Sequence, residues 1–137
     1  MMLKAWDLII ENYKANLKKR HLIAKKYLKN LENIKEIKCM PYSSDCSFFV
    51  FQIFCKNRRD ELLKQFKKKK IGVSIHYATP LPLMTYYKKK YRTKKILFRN
   101  AKIYADTNIS LPIYPSLKFK ELNSVVKVIK KFYGNKK

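Results

Sequence analysis

The segment with the side chains best suited to chemistry runs from Ile71 to Tyr91 and reads IGVSIHYATPLPLMTYYKKKY. Its first part, IGVSIHY, alternates between apolar and small or polar side chains, which predicts a half-buried strand. His76 and Tyr77 stand at the end of that strand, where α/β proteins commonly place ligands. A partly exposed imidazole beside tyrosines suits contacts to hydroxyls or phosphates. The alternative is that His76 is a hydrogen-bonded structural residue, and the residue pattern leaves both interpretations open.

The sequence has no other arrangement that is typical of a catalytic or metal site. With two glycines it lacks a phosphate-binding glycine loop, and its nine acidic residues include no close carboxylate pair in apolar surroundings. Cys39, Cys46 and Cys55 are odd in number and lack a CxxC spacing, and the two histidines lie far apart in the sequence. We therefore expect reduced thiols, no bound metal and no catalytic residue in this chain.

The net charge of +24 first suggests a partner rich in phosphate groups. The charge comes from 28 lysines and five arginines, beside many Ile, Asn, Tyr and Phe residues, a set that is typical of an AT-rich coding sequence. Because arginine supplies bidentate phosphate contacts and is scarce here, the composition favours general solvation over a specific polyanion partner. Nucleic acid stays an alternative partner that we do not favour.

No part of the sequence predicts a membrane protein. No stretch approaches the roughly 20 apolar residues that cross a bilayer, and the N-terminus lacks the basic and apolar regions of a signal peptide. We predict a single cytoplasmic domain over residues 1–137, because a chain of this length can bury a core of its own.

A long amphipathic helix is predicted to open the chain. From Trp6 to Ile34 apolar residues recur at helical spacing, and lysines occupy the other angles of the same helix. A helix of about 30 residues is long for a small domain. We therefore expect it to reach past its own core toward a partner surface.

The rest of the chain predicts a small sheet packed with helices, which is the α/β class of the α+β type. Residues 47–55, SFFVFQIFC, are apolar on both faces and predict a strand covered on both sides. Asn57 is expected to cap a helix that ends in the lysine run 67–70. The remaining predicted elements are the strand over 71–77, short helices within 83–91 and 98–105, an extended segment at 108–111, and a last helix with Gly134 at its C′ position.

Five pieces of the chain, in one order and with compatible spacing, carry a family resemblance. KKRHLIAKKYLKNL contains Arg20, Ala24 and Tyr27 of a helix motif, and NRRDELLKQF follows it as an R-D-x-L helix. Three further pieces follow. A strand ending in HY is matched by IGVSIHY, and a proline-containing loop is matched by PLPLMTYYKKKY. A helix with an NA pair, followed by SLP-x-YP, is matched by FRNAKIYADTNISLPIYPSL. The matching residues of this tail are Ile71, His76, Tyr77, Pro80, Leu81, Asn100, Ala101, Ser110, Leu111, Pro112, Tyr114 and Pro115. From about residue 10 to residue 133, the chain resembles the C-terminal part of the DegT/DnrJ/StrS family, PLP-dependent aminotransferases that act mainly on nucleotide-linked keto-sugars.

Four positions depart from the family pattern. Pro82 stands where the loop often has His, and Met84 stands where a polar residue is common. Phe49 occupies a strand position where His is frequent, and Arg99 replaces a Pro that is common before the NA pair. These departures put a substrate contact by the loop in doubt, although they leave the fold in place.

The resemblance implies the small, mostly antiparallel C-terminal domain of a fold-type I PLP-dependent transferase. In that family a large N-terminal domain supplies the Schiff-base lysine, the acidic partner of the pyridine nitrogen and the phosphate-binding groups, and no segment here resembles them. We therefore expect a truncated or split gene product that binds no cofactor and is not catalytic alone. His76 and Tyr77 are then nearest to the nucleotide-sugar substrate, in a positioning role.

The resemblance also implies a partner for the first helix. Its early part, with Trp6 and Ile10, is expected to face the large domain, and without that domain its apolar surface would drive self-association. The rival interpretation is a small basic nucleic-acid-binding or interaction module, in which Tyr and Phe among lysines supply stacking surfaces. Because Phe48 to Phe54 is predicted to be core, we favour the first interpretation; an inactive relic is a third alternative.

Overall fold

The computed structural model describes the backbone of residues 2–134 and the side chains of residues 10–94 and 96–134. It contains five helices and three strands within that range. The helices are α1 (Met2–Leu31), α2 (Arg59–Lys68), α3 (Thr85–Tyr91), α4 (Arg99–Thr107) and α5 (Phe119–Gly134), and the strands are β1 (Ile37–Cys39), β2 (Phe51–Cys55) and β3 (Asn108–Leu111). Short 3-10 turns at Leu81–Leu83 and Lys95–Phe98 precede α3 and α4. The predicted α+β class and the long first helix are confirmed.

The three strands form one antiparallel sheet in the order β1-β2-β3. Gln52 lies opposite Ser110, and Ile53 lies opposite Ile109. Because side chains alternate between the faces of a strand, this register separates two sets of residues. The core face carries Phe51, Ile53, Cys55, Ile109 and Leu111, and the polar face carries Gln52, Phe54, Asn108 and Ser110.

The core face packs against a helical layer made by α1, α5 and α2, in which α5 contacts both neighbours. The buried side chains that these helices contribute include Ile23, Tyr27, Leu31, Leu62, Phe66, Leu122, Val125, Val126 and Ile129. Tyr27 stacks on Phe51 with 5.0 Å between ring centres. Its hydroxyl donates a hydrogen bond to the Pro112 carbonyl oxygen at 3.0 Å, so α1 is joined directly to the segment after β3.

The strand predicted over residues 47–55 starts later than expected. Phe48 is buried with a left-handed φ of 45°, and the chain becomes a strand only at Phe51. Phe49 was predicted to be core but is 78% exposed. The prediction that the strand is covered on both sides is confirmed, because Gln52 on its second face is also buried and Phe54 is half-buried.

The predicted strand over residues 71–77 is not a strand. It forms a single bridge to β3, in which Ser74 and Ser110 exchange backbone hydrogen bonds of 3.2 and 2.8 Å. The pairing stops there because the His76 N–H donates to the Asn108 side chain at 3.1 Å instead of to a strand carbonyl. The chain then turns away from the sheet.

Two predicted helix ends also differ. The residue at the N-cap of α2 is Arg58, in a left-handed conformation and without a side-chain cap, so Asn57 does not cap this helix. The Asn57 carbonyl instead accepts a hydrogen bond from the Tyr133 hydroxyl at 3.0 Å. Gly134 is the last residue of α5 rather than the residue after it. Among residues 2–134, no helix is both long and apolar enough to cross a membrane.

Candidate functional site

The polar face of the sheet carries a hydrogen-bonded network centred on Gln52. This side chain is buried in the middle of β2. Its Nε2 donates to the His76 carbonyl oxygen at 3.1 Å, and its Oε1 accepts a hydrogen bond from the Tyr104 hydroxyl. Gln52 therefore ties the segment at His76 to helix α4, with the sheet as the common support.

Asn108 extends this network at the start of β3. Its Oδ1 accepts the His76 N–H, and its Nδ2 donates to the Tyr104 carbonyl oxygen at 2.7 Å. Together with Gln52, it satisfies both backbone polar groups of His76. Since buried polar groups are stable only when they are hydrogen-bonded, these two amides fix where the chain passes at His76.

The imidazole of His76 is half-buried and is held through one nitrogen. Its Nδ1 lies 2.9 Å from the Ser110 hydroxyl and 3.4 Å from that of Ser74. Its Nε2 has no hydrogen-bond partner among the described residues. The His76–Tyr77 peptide bond is cis, and the two rings meet edge to face at 5.8 Å. The structure therefore gives His76 a structural hydrogen-bonding role while one ring nitrogen remains for a further contact.

A cleft of about 680 Å³ opens beside Tyr77, between the loop that follows it and helix α4. The lining residues are Tyr77, Thr79, Pro80, Leu81 and Met84 of the loop, and Asn100, Ala101, Tyr104 and Ala105 of α4. Tyr77 is 75% exposed. Clefts of roughly 300–1,000 Å³ that are mostly apolar, with a few polar groups, are typical of small-molecule sites. This one has the size and lining to hold an organic ligand.

The cleft brings together residues that the sequence places far apart. Among the residues that carried the family resemblance, it collects Tyr77, Pro80, Leu81, Asn100 and Ala101. His76 and Ser110 lie in the network beneath it, whereas Ile71, Leu111, Pro112, Tyr114 and Pro115 do not line it. We call this arrangement the His76–Tyr77 cleft.

Sequence reasoning missed three residues of this region, namely Gln52, Tyr104 and Asn108. The signal for Gln52 was present, since it is the one amide in the apolar run SFFVFQIFC. Of the four departures from the family pattern, Met84 lines the cleft. Pro82, two residues before Met84, does not line the cleft; its carbonyl oxygen accepts a hydrogen bond from the Thr93 hydroxyl at 2.6 Å.

No cysteine lines the cleft, and two of the three have thiols that burial makes less reactive. Burial raises the pKa of Cys39 to about 11, and burial also raises the pKa of Cys55. Both thiols are therefore protonated near neutral pH, where the thiolate would be the reactive form. The described residues also include no group of three His, Cys, Asp or Glu side chains that could hold a metal ion.

The chain belongs to the DegT/DnrJ/EryC1/StrS aminotransferase family, whose model matches residues 10–130. The family depends on pyridoxal phosphate. Over 92 residues the chain is 30% identical to a UDP-4-amino-4-deoxy-L-arabinose–oxoglutarate aminotransferase of Shewanella sediminis, covering 64% of this chain and 23% of that protein. It is 32% identical over 73 residues to the spore coat polysaccharide biosynthesis protein SpsC of Bacillus subtilis, covering 53% and 18%.

Solved structures, a putative sugar aminotransferase among them, show the same fold. DesV of S. venezuelae, solved in complex with a ketimine intermediate, superposes with a TM-score of 0.89 at 21% identity, over 96% of this chain and 35% of that chain. The putative sugar aminotransferase Spr1654 of Streptococcus pneumoniae gives 0.83 at 19% identity, over 93% and 33%. The chain thus spans about a third of the length of these structures, and about a fifth of the length of the curated relatives.

The described side chains do not fit pyridoxal phosphate by themselves. A Schiff-base lysine must be desolvated to serve as a nucleophile at neutral pH. Among residues 10–94 and 96–134 no lysine is buried; Lys26 and Lys102 are half-buried and the others are exposed. Lys102 is paired with Asp106, and Lys26 lies over the Phe119 ring. The described residues therefore include no desolvated lysine that could hold the cofactor.

Proposed function

We propose that this chain forms the small domain of a sugar aminotransferase and that the His76–Tyr77 cleft borders its nucleotide-sugar site. The observation that carries the proposal is the cleft itself, because it gathers five residues of the family pattern around a volume of ligand size. Family membership supplies the reaction class.

The side chains of the cleft suit binding and orientation rather than proton transfer. Tyr77 and Tyr104 offer two aromatic surfaces, while Thr79 and Asn100 offer polar groups for hydroxyls. His76 is a positioning residue in this proposal: its backbone is fixed at both polar groups and its Nδ1 is held by Ser110. Its role is to aim the loop that carries Tyr77.

Amine transfer then requires the rest of the enzyme. When bound, pyridoxal phosphate supplies the electron sink for this chemistry. The lysine that holds it, the acidic partner of its ring nitrogen and its phosphate-binding groups are assigned by this proposal to a large domain. The described part of this chain contributes to the substrate side of the site.

Helix α1 provides the surface on which that large domain would dock. Its apolar stripe passes from the buried residues Tyr27 and Ala24 outward to Tyr13 and Ile10, which is 64% exposed. The side chain of Trp6 lies outside the described residues. Unpaired apolar surface of this kind marks protein interfaces, and it would drive self-association of the chain in isolation.

Nuclear magnetic resonance of the ¹⁵N-labelled chain tests the cleft directly. Titration with UDP-4-amino-4-deoxy-L-arabinose should shift the amide signals of Tyr77, Thr79 and Ala101, and Tyr77→Ala should abolish the shifts. Tyr86→Ala is the matched control, because Tyr86 is exposed and lies outside the cleft. Shifts elsewhere, or shifts that survive Tyr77→Ala, would refute the assignment of the cleft.

A second experiment tests whether this chain holds the cofactor by itself or leaves that role to a large domain. The chain is incubated with pyridoxal phosphate, reduced with borohydride and mapped by mass spectrometry. We expect scattered, substoichiometric labelling of exposed lysines. Stoichiometric labelling of one lysine, with turnover of an amino donor, would contradict the proposal. The DNA immediately upstream would show whether a large-domain reading frame accompanies this one.

A further inference from the structure

Helix α5 has a cleft along each of its sides, one shared with α1 and one shared with α2. These helices cover the core face of the sheet, whereas the His76–Tyr77 cleft lies on the polar face. Since the two faces of a sheet point in opposite directions, the α5 clefts lie on the other side of the molecule from the proposed substrate site.

Both α5 clefts are lined by cations. The cleft shared with α1, of about 580 Å³, is lined by Lys25, Lys26, Lys29 and Lys130 with one carboxylate, Glu32. The cleft shared with α2, of about 500 Å³, is lined by Arg58, Lys68, Lys69 and Lys131 with one carboxylate, Glu61. Glu61 is already paired with Arg58 at 2.7 Å. Grooves lined by one sign of charge concentrate the electrostatic potential, so both should attract anions.

Each α5 cleft also contains one aromatic ring beneath a cation. Phe119 is 49% exposed in the first cleft, and the Lys26 Nζ lies 3.7 Å from its ring centre. Phe132 lies in the second cleft, with the Arg58 guanidinium 4.4 Å from its ring centre. Basic grooves that combine cations with aromatic rings are typical of proteins that bind single-stranded nucleic acid, because the cations contact the phosphates and the rings stack on bases.

We propose that this basic helical face, made of the two α5 clefts, binds the sugar-phosphate backbone of single-stranded nucleic acid. A membrane surface fits less well, because membrane-bound helices insert a row of apolar side chains. Among the side chains that line these clefts, the exposed apolar ones are Leu22 and Phe119. On α3, Lys90 also lies over the Tyr86 and Tyr91 rings, so the feature that distinguishes the α5 face is that its cations line two clefts.

Fluorescence anisotropy of a labelled, mixed-sequence DNA single strand of about 16 nucleotides tests the proposal on the full chain. The face variant is Lys26→Gln, Lys29→Gln, Lys130→Gln and Lys131→Gln. The control variant is Lys88→Gln, Lys89→Gln, Lys90→Gln and Lys94→Gln, which removes the same charge around α3. At about 100 mM salt the face variant should bind at least about 10-fold more weakly, and the control within about 3-fold of the unmodified chain.

The salt dependence gives a second readout. Each phosphate contact on a single strand contributes about 0.7 to the slope of log affinity against log salt, so four lost contacts should lower that slope by about 3. Equal losses in the face and control variants would show that only total charge matters, and would overturn the proposal. Circular dichroism of both variants verifies that they fold.

The aromatic part has its own test. Phe119→Ala should weaken binding about 10-fold, as expected for the loss of one stacked base, whereas Phe49→Ala at another exposed phenylalanine should not. An unchanged affinity in Phe119→Ala would overturn the stacking role. The unmodified chain should also be tested on phosphatidylserine vesicles. If it binds the vesicles but not the DNA strand, and the face variant abolishes vesicle binding, the face is a membrane-binding surface and the nucleic-acid proposal is refuted.

Discussion

Replacing Gln52 with leucine should loosen the polar face of the sheet while leaving its core face intact. Gln52→Leu removes the hydrogen bond to the His76 carbonyl oxygen and the one from the Tyr104 hydroxyl. A typical intramolecular hydrogen bond contributes about 1 kcal/mol net, so the free energy of unfolding should fall by about 2 kcal/mol. With a urea m-value of about 2 kcal/mol per M, the unfolding midpoint should move down by about 1 M.

Urea titration followed by circular dichroism measures this midpoint. Gln65→Leu is the matched control, because Gln65 is a half-buried glutamine on α2 and its change should stay within about 0.5 kcal/mol. Tyr104→Phe removes one of the same two hydrogen bonds. The double variant should therefore be less destabilised than the sum of the single variants, by about 1 kcal/mol. An unchanged midpoint in Gln52→Leu, or strict additivity with Tyr104→Phe, would refute the hydrogen-bonded network around Gln52.

Three further predictions concern the core and the surface. Burial raises the pKa of Tyr27 above its ordinary value of 10.0, so the folded state holds that proton more tightly than the unfolded chain. The contribution of this proton to the free energy of unfolding should be fully present below pH 10 and should fall as the pH rises above it. Tyr27→Phe should therefore flatten the alkaline fall in stability, measured by urea titrations. Because the pKa of Cys39 is raised to about 11, its alkylation by iodoacetamide at about pH 8 should be much slower in the folded than in the urea-unfolded chain; equal rates would contradict its burial. Ile10→Lys with Tyr13→Lys should reduce self-association in size-exclusion chromatography at nearly unchanged stability, whereas Tyr86→Lys should not; a clean monomer before mutation would argue against an exposed docking surface.

The elements that the sequence predicts well are those whose apolar residues recur with a regular local spacing. The spacing of apolar residues identified α1 and α5, and the short helices and the extended segment at 108–111 were also placed correctly. The alternating pattern of residues 71–77, and then the family resemblance, pointed to His76 and Tyr77, and the structure puts Tyr77 on a cleft with other residues of the family pattern. Their contact with substrate remains a prediction.

The features that could not be predicted depend on long-range partners. Strand β1 has three residues and is formed only because β2 pairs with it. Gln52 and Tyr104 are 52 residues apart, so no local pattern reveals their hydrogen bond. Residues 71–77 have the alternation of a strand, but the Asn108 side chain takes the His76 N–H and ends the pairing. The strand is not formed because a side chain distant in sequence, rather than a strand carbonyl, accepts the hydrogen bond from this N–H.

Strands β2 and β3 divide their side chains by the parity of residue numbers. Odd positions such as Ile53 and Ile109 pack in the core, and even positions such as Gln52 and Ser110 form hydrogen bonds with His76 on the polar face. A combinatorial library confined to the even positions would therefore vary the hydrogen bonds that hold the His76 segment and helix α4, while the core packing stays the same. A shift of pairing by one residue would exchange the two sets, so such a library has to preserve the Ile53–Ile109 alignment.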